Sequence, residues 1–499
     1  MTMATLLIPA LVLVPLLGGI VALIIRGDRP RRALLAGTAV VHLLLTAGSG
    51  GAAPALGGWL ALDPLGRLFL GIASTLFLAA ALYGAGYLAR ETGSGDDRRR
   101  DLDEGTLFSN APEAVFTGCL LFFLATMTLV CVSNHLGILW VAVEATTLAS
   151  APLIYFHRHH RSLEAAWKYL LICSIGIALA LLGNFLLAVA TKSSPRGEIP
   201  LRLDLLLPAA ASFQPMWLKA AFIFLLVGYG TKMGLAPLHT WLPDAHSESP
   251  SLVSALLSGA LLNCAFLGVL RALQVLSAAG LAGFGQQLLV GFGLFSMGLA
   301  AAFIIGQPDY KRMLAYSSVE HMGILALGVG LGGGAVFGAL FHAVNHSLIK
   351  GMLFLVAGNI LSAARTKTIA EVRGLSRALP VSGALWLAGF LAITGTPPFG
   401  TFLSEFTILK AAIDGGRLGV AVLYLIALAV VFVGMCRLML RMVQGSPSAA
   451  VAGVAGREPW LALAPPALLG ALGLALGLYV PPFLEQLLRN AARLLEGLS

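Results

Sequence analysis

Long apolar runs alternate with short polar stretches along the chain, from Ala4 to Ile25 near one terminus to Leu461 to Tyr479 near the other. An α-helix needs about 20 apolar residues to cross the hydrocarbon layer, and runs of that length are too long and uniform for barrel strands. The pattern predicts an all-α polytopic membrane protein of roughly fourteen spanning helices. The first run reads as a span rather than a signal peptide, because its positive charges follow the apolar stretch and no small-residue cleavage site precedes them.

Two runs break in broadly corresponding places. "VGYGTKMGLAPLHTWLPDAHSESP" (Val227 to Pro250) is interrupted at Gly234 and Pro237, and "ITGTPPFGTFLSEFTILK" (Ile393 to Lys410) at Gly395, Pro397 and Pro398. Paired interrupted helices point to internal repeats with ion-handling groups at mid-membrane. On that reading residues 1–111 hold the first spans and a charged loop, 112–278 one repeat, 279–443 the second, and 444–499 the last span and a tail. In the tail, "PPFLEQLLRNAARLLEGL" sets leucines at helical spacing opposite Glu485, Arg489 and Arg493, which predicts an amphipathic helix on the membrane surface or against a partner.

Composition agrees with the pattern. Of 499 residues, 58% are hydrophobic and only 11% charged, and mean hydropathy is +0.89. Lys and Arg exceed Asp and Glu by 32 to 23, but in a membrane chain this excess sets orientation rather than inviting nucleic acid. The basic residues gather in alternate loops: Arg26, Arg29, Arg31 and Arg32; Arg98, Arg99 and Arg100; Arg158 and Arg161; Lys311 and Arg312; Arg365, Lys367, Arg373 and Arg377. The positive-inside rule places those loops in the cytoplasm and both termini on the outer side of a cytoplasmic (inner) membrane. The five cysteines stand singly in apolar segments and read as packing residues. With no metal-cluster spacing and no phosphate-binding loop, no cofactor or metal is expected in this chain.

The charges inside apolar runs need another explanation, since each costs at least ~2.5 kcal/mol at a helix centre. Glu144, Lys168, Lys232, Lys350, Glu405 and Lys410 are such residues. Lys168 lies near a helix start and could equally snorkel to the headgroups. Glu144 and Lys232 could be a structural ion pair, yet a pair of movable charges also sets the lysine's proton affinity by geometry. His342, His346 and Lys350 follow one another at intervals of four residues, about 6 Å apart along one helical face. This titratable stripe suits a proton relay better than haem ligation, for which facing helices are the usual source of ligands. His321 and Glu320 could extend the stripe, although Lys311 and Arg312 mark a nearby surface and leave an interfacial Glu320 open. His157, His159 and His160 read as a solvated loop, Asp63 as a helix cap, and Asp244, His246 and Glu248 as loop or cytoplasmic uptake residues.

Four stretches together carry a resemblance: "GTKMGLAPLHTWLPDAHSESPSLVSALLSG", "KRMLAYSSVEHMG", "FHAVNHSLIKGMLFLVAGN" and "TGTPPFGTFLSEF". They resemble the antiporter-like membrane subunits shared by respiratory complex I, multi-subunit cation/proton antiporters and group 4 membrane-bound nickel–iron hydrogenases. The region from Trp140 to Gly183 is most similar to the hydrogenase-4 component F branch. The resemblance, which runs from about Gly118 to Met442, implies two inverted five-helix repeats with broken seventh and twelfth helices. It also implies that Glu144 pairs with Lys232, and that a polar axis runs through His342, His346 and Lys350 to Glu405. Where some members carry a lysine on the eighth helix this chain has Asn263, so the link from Lys232 onward would rest on water or on His239 and His321. The function implied is proton translocation within a larger redox complex of hydrogenase, formate hydrogenlyase or NADH:quinone oxidoreductase type, with other membrane subunits and a redox arm as partners. A Na+/H+ antiporter subunit and a non-transporting scaffold are the alternatives.

Overall fold

The computed structural model describes residues 3–91, 99–100, 107–194, 198–453 and 458–497. Its long helices are α1 (Met3–Ile24), α2 (Asp28–Ala47), α3 (Pro64–Glu91), α4 (Glu113–Val132), α5 (Leu136–Ile154), α6 (His160–Thr191) and α7 (Pro215–Met233). The short α8 (Trp241–Glu248) follows, then α9 (Ser251–Ala278), α10 (Ala282–Ile304), α11 (Tyr310–Leu331) and α12 (Gly334–Ala364). The chain continues through α13 (Pro380–Ile393), α14 (Gly400–Asp414), α15 (Leu418–Val443), α16 (Trp460–Leu478) and α17 (Pro482–Glu496). Thirteen of the described helices are long and apolar enough to span a membrane. The pair α13 and α14 supplies one further, broken span. A two-residue ladder joins Arg99–Arg100 to Leu107–Phe108, while most of the charged loop at 90–105, Arg98 included, lies outside the described residues.

Backbone bridges tie alternate loops together at the two ends of the bundle. Leu60 pairs with Ser133 and His135 with Arg202 at one end, and Asn110 with His157 and Asp309 with Thr368 at the other. The second end carries Arg158, Lys311, Arg312 and Lys367 and is called the basic end below. There His157 is a fastener rather than a solvated loop residue: its Nδ1 lies 2.8 Å from Asn110 Oδ1 and its Nε2 3.2 Å from the Tyr87 hydroxyl. His159 caps α6 by accepting from the Ser162 amide, and Asp309 caps α11 through the amides of Lys311 and Arg312.

Burial separates centre from rim. The apolar window of α9 is wholly enclosed, whereas that of α15 is 28% buried and presents Val422, Leu423, Ile426 and Val433 outward. Polar groups on α9 therefore find partners only inside the protein. Its turn at Leu257–Leu261 is widened to π geometry, and Asn263 Nδ2 bonds both the freed Gly259 carbonyl (2.8 Å) and Ser347 Oγ on α12 (2.7 Å).

Each predicted break is a real interruption. Gly234 ends α7 at φ +84°, where any Cβ would also meet Leu242 Cδ1 at 2.5 Å, and Gly395 at φ +64° follows α13. Pro237 lies between α7 and α8, and Pro397 and Pro398 between α13 and α14, where their missing N–H groups break no helical ladder.

The tail helix α17 is amphipathic as expected, but its apolar side is covered by this chain's own helices. Leu488, Ala491 and Leu495 are buried, the Leu494 carbonyl accepts from Gln274 on α9, and the Arg489 guanidinium stands 5.4 Å from the Phe337 ring of α12. Nearby, Asp63 caps α3 through the Gly66 amide and also binds both terminal nitrogens of the buried Arg271. Burial opposes the Asp63 carboxylate, but the Arg271 guanidinium outweighs it and holds the carboxyl below its usual value of 3.8. A depressed carboxyl contributes stability above its unfolded pKa and loses that contribution as pH falls through the folded value. Asp63→Asn should therefore lower the melting temperature of the detergent-purified protein at pH 7. The gap from wild type should close as the buffer is taken below about 4, near the reference carboxyl pKa.

Candidate functional site

The site is assembled from side chains on α5 to α9, α11, α12 and α14, and it begins at Lys232. The last turn of α7 places this lysine at 0% exposure, enclosed by α5, α6 and α8. Its amine donates to Thr147 Oγ1 (2.8 Å) and to the Tyr169 hydroxyl (2.6 Å), and it stands 4.2 Å from the Tyr169 ring centre. Glu144 does not meet the amine directly. Thr147 lies between them, accepting from Lys232 and donating to Glu144 Oε2 (3.2 Å), while Ser174 donates to Oε1 (2.7 Å). The expected pair is thus a hydroxyl-bridged one, with Glu144 half-buried at the edge of the bundle.

A second group lies where α11, α12 and α14 meet. His321 Nδ1 is 2.9 Å from His342 Nε2, and His342 Nδ1 is 2.9 Å from Ser404 Oγ. The His346 ring centre is 5.1 Å from that of His321. Glu405 follows Ser404 and is buried. A Cβ on Gly395 would overlap its carboxylate, so the glycine both turns the chain and makes room for the acid. Lys350 is fully buried and donates to the Leu314 carbonyl (2.7 Å), within electrostatic reach of Glu320. Glu320 is itself only 2% exposed, enclosed within the bundle.

Between the two groups stands His246 on α8, at 0% exposure. Neither ring nitrogen meets a hydrogen-bond partner among the described residues; the Leu242 carbonyl lies near the ring without bonding geometry. Its ring is 6.3 Å from that of Trp241, which also neighbours the Tyr169 ring at 5.0 Å and the Lys232 amine at 5.9 Å. On its far side it is 5.5 Å from Phe354, and it feels the charges of Lys350 and Lys311.

A family model described as NADH:quinone oxidoreductase/Mrp antiporter, TM, matches residues 133–432, a stretch that contains every one of these groups. The chain belongs to this antiporter family. It is 38% identical over 358 residues to a hydrogenase-4 component F homolog of Methylacidiphilum infernorum (isolate V4), covering 71% of this chain and 73% of that one. Its fold matches a chain of the Mrp complex from Dietzia sp. DQ12-45-1b with a TM-score of 0.84 at 20% identity, over 99% of this chain and 98% of the other. A chain of respiratory complex I from Thermus thermophilus with bound NADH gives 0.78 at 25% identity, over 98% and 99%. These likenesses bear out the resemblance and the all-helical, multi-span fold.

Within the antiporter framework the remaining predicted residues fall into place differently. Lys168 sits at the basic end, paired with Glu164 (2.6 Å) and Asp244 (2.9 Å), on the wall of a cavity of about 400 Å3. Arg161, Glu248, Arg312 and Lys367 line the same cavity. His239 lies in the break between α7 and α8, nearly buried, with its ring 6.2 Å from Tyr316 rather than beside His321. Lys410 is 65% exposed and pairs with Asp414 on its own helix, away from Glu405. Tyr169, Thr147 and His246 join the site without having been expected there. Their signal is faint: only the spacing Trp241, Leu242, Ala245, His246 puts that histidine on the apolar face of α8.

One set of side chains approaches metal-site geometry. Nitrogen or oxygen atoms of His321, His342 and Glu405 lie within 4.8 Å of one another. Donors of a tetrahedral zinc site, with bonds of about 2.0–2.1 Å, stand about 3.3 Å apart, and here two of the three donors already share a hydrogen bond. No hydrogen bond joins the Glu405 carboxylate to either ring among the described residues.

Gly395→Ala should lower the melting temperature by more than Gly416→Ala. Both positions have positive φ and share a backbone cost of about 1–2 kcal/mol. Only at Gly395 does the new Cβ collide with a carboxylate, since Gly416 (φ +69°) faces open space. Equal losses in thermal melts would show that Glu405 is not held against this glycine.

Proposed function

We propose that this chain is a proton-translocating membrane subunit of a multi-subunit, redox-driven complex of the hydrogenase or quinone oxidoreductase type. The observation that carries the proposal is the line of ionisable groups that starts at the half-buried Glu144 and runs through the enclosed Lys232, His246, Lys350, His346, His321, His342 and Glu405. Charges so placed are expensive in a membrane unless they do work there. Two of their links are of the kind a proton can follow: the Thr147 hydroxyl between Lys232 and Glu144, and the histidine-to-histidine hydrogen bond between His321 and His342. Trp241 and Phe354 flank His246, so water would complete the steps on either side of it.

The basic end faces the cytoplasm in this reading, with both termini outside. The charged cavity there collects protons, and Glu405 delivers them toward the opposite face. Glu144, half-buried on the edge of α5, is the member of the line that a neighbouring membrane subunit can bias. A shift of that carboxylate changes the field on Thr147 and through it on Lys232. Moving one charge against 100 mV requires about 2.3 kcal/mol, and the redox arm of the complex supplies it. Hydrogenase and NADH:quinone oxidoreductase names among the relatives support that class of partner.

In proteoliposomes holding the whole complex, Lys232→Met or Glu405→Gln should bring redox-coupled proton translocation to background while the complex still assembles. Thr147→Val should slow it roughly tenfold, the effect of losing about 1.4 kcal/mol from one hydrogen bond to a charged group. Translocation at the wild-type rate in an assembled Lys232→Met complex would refute the proposal.

A further inference from the structure

Behind the lining of the charged cavity lies a lysine that the line above does not use. Lys311, in the first turn of α11, is 1% exposed, and no carboxylate lies within ion-pair distance of it among the described residues. Its amine donates to two backbone carbonyls, Ser247 (3.0 Å) and Ser249 (2.6 Å), which straddle the end of α8. The surroundings fix this arrangement. Ser247 Oγ donates to Asp309 Oδ2 (2.7 Å), Glu248 accepts from Lys367 (2.8 Å), and Ser254 Oγ donates to the His246 carbonyl (2.8 Å). Glu248, Asp309 and Lys367 stand between Lys311 and the cavity that they line, and their charges are the ones that act on it. Beyond it is His246, within its field.

The C-terminal carbonyls of a short, interrupted helix inside a membrane transporter are a favoured seat for an alkali cation, because the backbone groups there lack helical partners and carry the negative end of the dipole. In this chain that seat is filled by an ammonium group attached to the neighbouring helix. We propose that Lys311 is a specificity-determining residue: its ammonium occupies the carbonyl seat at the end of α8 that a sodium ion would otherwise take, so that the cavity admits protons and excludes alkali cations. The inference rests on the proton-translocating reading above and decides its ion. A proton can cross this point by exchange on water or on the amine itself, with no vacancy required. A metal cation would have to displace a fixed positive charge, which like-charge repulsion opposes in a poorly solvated site.

The test uses the whole complex in proteoliposomes, with radioactive sodium uptake and proton movement followed in parallel under an imposed membrane potential. The wild-type complex should move protons and remain tight to sodium. Lys311→Ala should raise sodium uptake at least about tenfold, equivalent to about 1.4 kcal/mol of relieved exclusion. Added methylammonium, which can reoccupy the seat, should reverse the gain, and Lys311→Arg should stay sodium-tight. Lys311→Met, which keeps most of the aliphatic stem, serves as second variant should Lys311→Ala not assemble. Sodium uptake by the wild-type complex, or an assembled alanine or methionine variant as sodium-tight as wild type, overturns the inference. A wild-type complex that moves neither ion refutes the underlying function instead, and the two failures are thereby distinguished.

Discussion

A charged group in this bundle gives up its solvation to the hydrocarbon layer unless neighbouring helices or water replace it, and that constraint organises the interior. Lys232 meets it with a threonine and a tyrosine hydroxyl, Lys350 and Lys311 with backbone carbonyls, and His342 with a second histidine and a serine. Few of these charges are neutralised by a carboxylate in contact. Groups held by neutral donors and acceptors keep the capacity to change protonation, whereas a tight buried ion pair would lock it. Tight ion pairs occur instead where fixed structure serves better, as at Asp63 with Arg271 near α17 and Lys367 with Glu248 at the basic end.

The two helix breaks follow from the same requirement. A continuous α-helix consumes its own backbone groups, so it offers a buried cation nothing but side chains. At the first break α7 stops one residue after Lys232, and the end of α8 presents free carbonyls to Lys311. At the second, Gly395 opens the space that Glu405 fills. The π turn of α9 is a smaller version of the same device: it frees the Gly259 carbonyl for Asn263 and Ser347, which join α9 to α12.

Much of this was legible in the residue pattern. Hydropathy defines the spans because every crossing must repeat the same length of apolar surface, and glycine with proline marks both breaks. Lys232, Lys350, His342 and Glu405 stand out as ionisable residues in runs that are otherwise mainly apolar. The pattern falls short wherever the deciding neighbour is on another helix. Thr147 and Tyr169 look like ordinary helical residues until α5 and α6 close around Lys232. Lys311 beside Arg312 reads as a surface pair, yet the two leave α11 in different directions, one enclosed and the other 41% exposed. His246 is masked by the polar "DAHSES" around it, and Lys410, by contrast, gains apparent importance from an apolar run although its own side chain faces outward.

Continuity of the polar line at its middle is the feature on which the proton-translocating function most depends, and His246 is the enclosed side chain that spans it. The most direct measurement is the number of protons moved per electron by the reconstituted complex carrying His246→Phe, with assembly and electron transfer verified alongside. Interruption predicts that electron transfer persists while the proton yield drops to background. A wild-type proton yield in that variant would contradict a path running from Lys232 through this histidine to Lys350 and Glu405.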